Sequence, residues 1–255
     1  MWGPAFIMDG FTCPSADSQH TEGGPATAAG TRPKRCHMPV DAERQAFADV
    51  FRSTDPDAPT LCEGWTTRHL LAHLVQREQG PPWAAIGDMV GHREPGQEKY
   101  MGRLVKAARS DEGYEALVTQ FQKGAPRWSP MSWADESLNF IEYVIHIEDV
   151  RRGGDTPLSP RVLPPAEVRS IWKRLRLMGK VTYLRAPVGV TLSVPDGDTE
   201  VVKKRAEGVS LTGDPVELLL YVSGRREAAH VELTGSPEAV AAFEAWVARP
   251  GSGSG

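Results

Sequence analysis

Between residues 40 and 152 the apolar side chains recur at helical spacing, and the pattern stops at "RRGGDTPLSPRVLPP". A glycine pair followed by four prolines cannot continue a helix, so this stretch splits the chain into two folding grammars. Before it, "DAERQAFADVFRST" places Phe47, Val50 and Phe51 on one stripe, with Asp41 able to cap the start. "TTRHLLAHLVQRE" lines up Leu70, Leu71, Leu74 and Val75 behind a Thr66 or Thr67 cap. A short helix is expected around "WAAIGDMV", and one or two more over "QEKYMGRLVKAARS" and "GYEALVTQFQKG", broken near Asp111. "ADESLNFIEYVIHIEDVRR" then runs to Gly153–Gly154. Roughly four long helices with apolar faces predict an antiparallel bundle over residues 38–152.

Beyond a linker at 153–164 the pattern becomes mixed. "PAEVRSIWKRLRLMGKV" reads as a helix from about Pro165, "VGVTLSV" and "VELTG" alternate like strands, and "PDGD" turns into a short strand "TEVVKKR". "DPVELLLYVSGR" and "SPEAVAAFEAWVAR" start with Asp214 and Ser236 caps, each followed by proline at the first helical position. The expected class is therefore α+β: a helical bundle, then a small α/β domain over 165–249. Residues 1–37, rich in Gly, Pro, Ser and Thr without periodicity, read as a disordered leader, with Met38 as a candidate functional start. Residues 250–255 read as a flexible tail.

The composition narrows the function. The chain has 255 residues, 24% charged, with a net charge of −4. No Lys/Arg cluster extends beyond "RPKR" and "VKKR", so no nucleic-acid partner is expected. No apolar run reaches the roughly 18 residues a membrane span requires, and the start lacks a basic n-region with a long apolar core. Three cysteines, Cys13, Cys36 and Cys62, form no CxxC pair and point to a reducing, cytoplasmic setting. Cys62 alone reads first as a small buried hydrophobe.

The chemistry rests on two helices. On the helix over 134–152, Asp135, Asn139, Glu142, His146 and Asp149 share one face, opposite Phe140, Tyr143, Val144 and Ile147. Periodicity alone leaves this as a solvated polar face. Glu148 falls off both stripes and receives no role. His73 lies on the polar side of its own helix with His69, Gln76 and Arg77. Bundle helices can aim Glu and His from facing positions at one metal ion. Glu142 and His146 at i, i+4, joined by His73, would form a His₂Glu set with an open fourth position, as a catalytic zinc site requires. Asp149, one turn on, can accept from a ligand imidazole.

"CEGWTTRHLLAHLVQRE" resembles the GW-x-x-x-D-L-x-A-H-L signature of the mycothiol-dependent maleylpyruvate isomerase family. That family belongs to the DinB-like metal-binding four-helix bundles of actinobacteria. "FIEYVIHIEDV" is similar to its second signature, Glu-x-x-x-His-x-x-Asp on the last bundle helix. The resemblance covers residues 40–152, extends in outline to the appended domain, and is nearest to a subgroup known as uncharacterised metal-binding proteins. It implies a metal held by His73, Glu142 and His146, an acidic partner at Asp149, and a cleft-facing Gly-Arg at Gly224–Arg225, with Arg226 adjoining. One departure is His69, which stands where the family's pattern is acidic; it either starts the helix or perturbs the metal shell.

The resemblance further implies a divalent metal, first of all Zn, and mycothiol as cosubstrate. A thiol with a pKa near ~8.5 is mostly protonated at neutral pH, and coordination would ionise it for attack on a small electrophile. Isomerisation and S-transfer are both compatible outcomes. Arg225 would hold a substrate carboxylate bidentately, or else form an interdomain salt bridge. A non-catalytic metal- or small-molecule-binding protein and a metal-dependent hydrolase, with Asp149 or Glu148 as base, are the competing readings.

Overall fold

A computed structural model describes residues 39–81, 98–126, 136–154 and 161–249. The expected leader, the short helix at "WAAIGDMV", most of the linker's first half and the tail lie outside the described residues. Among the described residues, five helices occupy the N-terminal half: α1 (Pro39–Ser53), α2 (Thr67–Gln79), α3 (Met101–Ala107), α4 (Asp111–Gln122) and α5 (Glu136–Arg152). Asp41 does not cap α1. It lies inside the first turn, where its charge suits the helix dipole and its carboxylate takes Arg44 at 3.1 Å. The expected break near Asp111 is real, and Ser110 caps α4 by accepting from the Gly113 backbone N–H.

Four of these helices form the bundle. α1 packs on α4 and α5, and α2 packs on α3 and α4. The centre is aromatic: Phe47 stacks on Phe51 with centroids 4.3 Å apart, and Phe121 meets both edge-on along with Tyr143. The circuit closes through side chains, because α2 and α5 meet across Arg77–Asn139 and His73–His146.

The C-terminal half begins with α6 (Pro165–Thr182) and continues as β1 (Gly189–Ser193), β2 (Thr199–Lys203), β3 (Gly208–Thr212), α7 (Pro215–Val222), a 3₁₀ turn (Arg226–Ala228), β4 (Glu232–Gly235) and α8 (Pro237–Val247). The sheet order is β2-β1-β3-β4, with β1 and β3 parallel and both outer pairs antiparallel. The strand reading missed β3, one of the two central strands. Its two buried side chains, Val209 and Leu211, make too short an alternation to stand out from the neighbouring turns. Gly189 lets the β2–β3 connection cross the start of β1, since a Cβ there would crowd Lys203, Arg205 and Glu207 backbone atoms at 3.3 Å. Tyr183, Phe243 and Trp246 cluster where α6 meets α8.

α5 joins the halves, and here the polar stripe departs from expectation. Asn139, His146 and Asp149 are 7%, 9% and 0% exposed, so most of this face is buried, and Glu142 alone among the four stays partly open. Glu148, given no role by the periodicity, is also 0% exposed and holds two arginines: Arg152 at 2.7 Å and Arg161 at 2.9 Å. Arg152 goes on to clamp Glu217 of α7 at 2.7 and 2.9 Å and donates to the Ala228 carbonyl. Arg161 also reaches Glu43 of α1 at 3.0 Å. These buried ions are paired because an unpaired charge at such depth costs several kcal/mol.

Glu148→Ala removes the carboxylate that Arg152 and Arg161 share and leaves each with one carboxylate partner, Glu217 and Glu43. It is expected to destabilise the fold by about 1.5–3 kcal/mol, read as a lowered urea midpoint at unchanged slope.

Candidate metal centre

Each candidate ligand arrives by a local device. His73 stands mid-way along α2, whose start is fixed by Thr66 and by His69 as third helical residue. The His69 Nδ1 accepts from the Thr66 backbone N–H at 3.3 Å, the place a Glu or Gln fills in a capping box. His69 is thus a helix-starting residue, and burial lowers its pKa, consistent with a neutral acceptor ring. Glu142 and His146 come from α5 one turn apart, with His146 Nε2 3.4 Å from Glu142 Oε2.

The structure brings the three together. One ligand atom from each of His73, Glu142 and His146 lies within 4.8 Å of the others. The His73 and His146 rings meet edge to face at 5.6 Å, and the Trp65 ring walls the other side of His73 at 5.2 Å. Burial, reinforced by His146, pushes the His73 imidazolium down to about 3, so the ring is neutral with a lone pair to give. Among the described residues no hydrogen bond engages either His73 nitrogen. Burial alone would raise the Glu142 carboxyl, but His146, Arg77 and His73 outweigh it and bring it to about 2. Burial opposes charge on His146, yet its bonds to Asp149, Cys62 and Glu142 raise its pKa well above the ordinary value. The donors are therefore a neutral imidazole, a carboxylate and an imidazole whose surroundings favour positive charge, which fits a divalent cation.

Asp149 accepts from His146 Nδ1 at 2.8 Å, which aims Nε2 toward Glu142 and His73. Its other contacts come from outside the bundle helices. Arg225 grips it bidentately, Nε to Oδ1 at 2.9 Å and Nη2 to Oδ2 at 2.7 Å. The geometry of α7 makes this grip: Gly224 turns the chain at φ +94°, and the Arg225 N–H bonds back to the Leu220 carbonyl in a Schellman-type ending. The third guanidinium nitrogen donates to the Ser223 carbonyl at 2.8 Å. Arg225 thus forms the interdomain salt bridge, one of its two expected roles, and all three nitrogens are used.

Cys62 is the residue the sequence reading left out of the site. It is half-buried and packs against the core as expected, but its Sγ also lies 3.2 Å from Asp149 Oδ2 and 3.5 Å from Arg225 Nη2. The loop carrying it docks on α5 through the Leu61 N–H to the Asp149 carbonyl. It passes so close to Gly153 that a Cβ there would meet Thr60 at 2.3 Å. The signal was its position two residues before Gly64 of the Gly-Trp turn and three from Trp65. Cys62, His146 and Asp149 also lie within ligand distance of one another. The Arg225 guanidinium against both Cys62 and Asp149 already supplies positive charge there, so the first trio is the better cation site.

Residues 38–134 match the family described as the mycothiol maleylpyruvate isomerase N-terminal domain. The matched stretch takes in α1 to α4 and stops before α5. A solved structure of the mycothiol-dependent maleylpyruvate isomerase resembles the chain with a TM-score of 0.51 and 16% identity, covering 77% of this chain and 90% of its own. A histidine-to-alanine mutant of that enzyme matches with the same score and coverage at 14% identity. At such identity the likeness establishes the fold: the domain's bundle followed by a small α/β unit. No curated protein matches the chain. Among the described residues no helix is long and apolar enough to cross a membrane.

Arg225→Ala removes the clamp on Asp149 without touching a candidate ligand. Zinc affinity, measured by competition with a chromogenic chelator, is expected to fall about 10–100-fold, as it does when such supporting partners are lost.

Proposed function

We propose that the protein is a mycothiol-dependent isomerase or S-transferase of small electrophiles, acting in the cytoplasm with a divalent metal, first of all zinc, held by His73, Glu142 and His146. The observation that carries this reading is the convergence of those three donors from facing helices, with His146 already oriented by Asp149. The two solved neighbours named for mycothiol dependence share the fold and support the choice of thiol.

A divalent cation in this set would supply the positive charge that keeps a bound thiol ionised at neutral pH. The chain's own residues do the rest. His73 offers an uncommitted nitrogen, His146 is held by Asp149, and Trp65 gives the site an apolar wall against His73. The thiol gives its S–H proton to solvent, and its sulfur forms a C–S bond at the electrophilic carbon while the double-bond pair shifts into the conjugated acceptor. Rotation and expulsion of the thiolate restore the double bond and give an isomer; uptake of a solvent proton at the adjacent carbon gives the S-conjugate.

The hydrolase reading has less support. Its two candidate bases are ion-paired, Asp149 with Arg225 and Glu148 with Arg152 and Arg161. A carboxylate so held is a weak base.

The purified full chain is expected to hold about one zinc per molecule, and His73→Ala or His146→Ala to abolish it by elemental analysis. Zinc-loaded protein should consume mycothiol in the presence of an electrophile. Metal binding without thiol consumption would leave a binding protein; failure to take up any divalent metal would overturn the site.

A further inference from the structure

The arginine left to read a ligand at this site is not the one on the C-terminal domain. Arg225 spends every guanidinium nitrogen on Asp149 and the Ser223 carbonyl. Arg77 is differently placed. It lies one turn beyond His73 on α2, and its side chain is 20% exposed. Its Nη1 donates to Asn139 Oδ1 at 2.9 Å, which fixes the plane of the guanidinium. Its Nε stands 4.0 Å from Glu142 Oε2, beyond hydrogen-bond reach. Among the described residues, neither Nε nor Nη2 makes a hydrogen bond. A fork with two uncommitted N–H directions, beside a candidate metal ligand, matches the geometry of a bidentate carboxylate.

Charge balance points the same way. Around the three donors stand two carboxylates, Glu142 and Asp149, and two guanidinium groups, Arg77 and Arg225. Glu78, next to Arg77 in the chain, is balanced by Arg44 at 3.5 Å. With neutral imidazoles this group is neutral overall. A divalent cation leaves a surplus of two positive charges in a half-buried site, and such a surplus draws anions. A thiolate balances one. The other calls for a second anionic group, and Arg77 has the open donors to receive it.

We propose that Arg77 is the binding residue for an anionic group, a carboxylate by its geometry, on the electrophile that this site takes. The proposal rests on the thiol-dependent reading above for the electrophile but not for the anion. The test compares monomethyl fumarate, which carries one carboxylate, with the neutral dimethyl fumarate, using zinc-loaded full chain and mycothiol. Arg77→Met is expected to raise KM for monomethyl fumarate about tenfold or more while changing kcat/KM for dimethyl fumarate less than twofold. Arg77→Lys should recover part of the loss, zinc content should match the parent, and the melting midpoint should fall only by what loss of the Asn139 hydrogen bond accounts for. An equal effect on both electrophiles, no effect on either, or loss of zinc would overturn the proposal. If no electrophile is consumed, the functional reading fails, and calorimetric titration with unreactive monomethyl succinate still decides. Binding weakened at least tenfold in Arg77→Met upholds the anion site; equal or undetectable binding in the parent and the variant rejects it.

Discussion

The bidentate pair between Asp149 and Arg225 is the contact on which the site's geometry turns. It takes a carboxylate at complete burial, neutralises it from the other half of the chain, and leaves one carboxylate oxygen shared with His146 Nδ1. Without the guanidinium, Asp149 would keep only His146 and Cys62 as partners, leaving a buried carboxylate half-satisfied. With it, the carboxyl stays well below its usual range, because the bonds to His146 and Arg225 overcome the opposing effect of burial. The α/β half is therefore part of the site by electrostatics, even though none of the three candidate ligands comes from it.

The same logic extends along α5. A helix buried over most of its surface cannot leave its buried polar side chains idle, so each must find a partner within reach. Asn139 meets Arg77, His146 meets Asp149, and Glu148 and Arg152 tie into Arg161 and Glu217. Toward its N-terminal end these partners belong to α2; toward its C-terminal end they belong to α7 and the segment before α6. The helix thus passes from a bundle environment to an interdomain one over three turns, and the candidate ligands stand at the changeover.

That arrangement explains what the sequence could and could not disclose. The helical stripes of Phe47, Phe51, Leu70, Leu71 and Leu74 are local, period-driven features, and they are all fully buried. His73, Glu142 and His146 were legible as a group only when the helical spacing of Glu142 and His146 was joined to the distant His73 and to the two-part signature that the chain resembles. The burial of the polar face was not legible, since periodicity records which residues share a face but not what that face meets. Glu148 was lost for the same reason: its partners lie 4, 13 and, through Arg152, 69 residues away. The place of Cys62 at the site was missed because a loop has no period to place its side chain. β3 was overlooked because a five-residue strand between two turns offers only two inward side chains.

Arg77 and Arg225 show how position in the fold separates two like residues. Both flank the candidate ligands, and both sit beside a carboxylate. Arg225 follows a helix-ending glycine whose positive φ fixes its backbone, and its fork closes completely on Asp149. Arg77 stands in the last turn of α2, is anchored at one nitrogen only, and meets Glu142 at a distance too long for a hydrogen bond. A guanidinium that is already satisfied can orient and neutralise but gains little from a ligand, because a new contact must displace an old one. A guanidinium held in place at one end and open at the other loses little freedom on binding. In this site the structural and the recognising arginine are therefore set apart by what the backbone leaves unbonded, not by their charge.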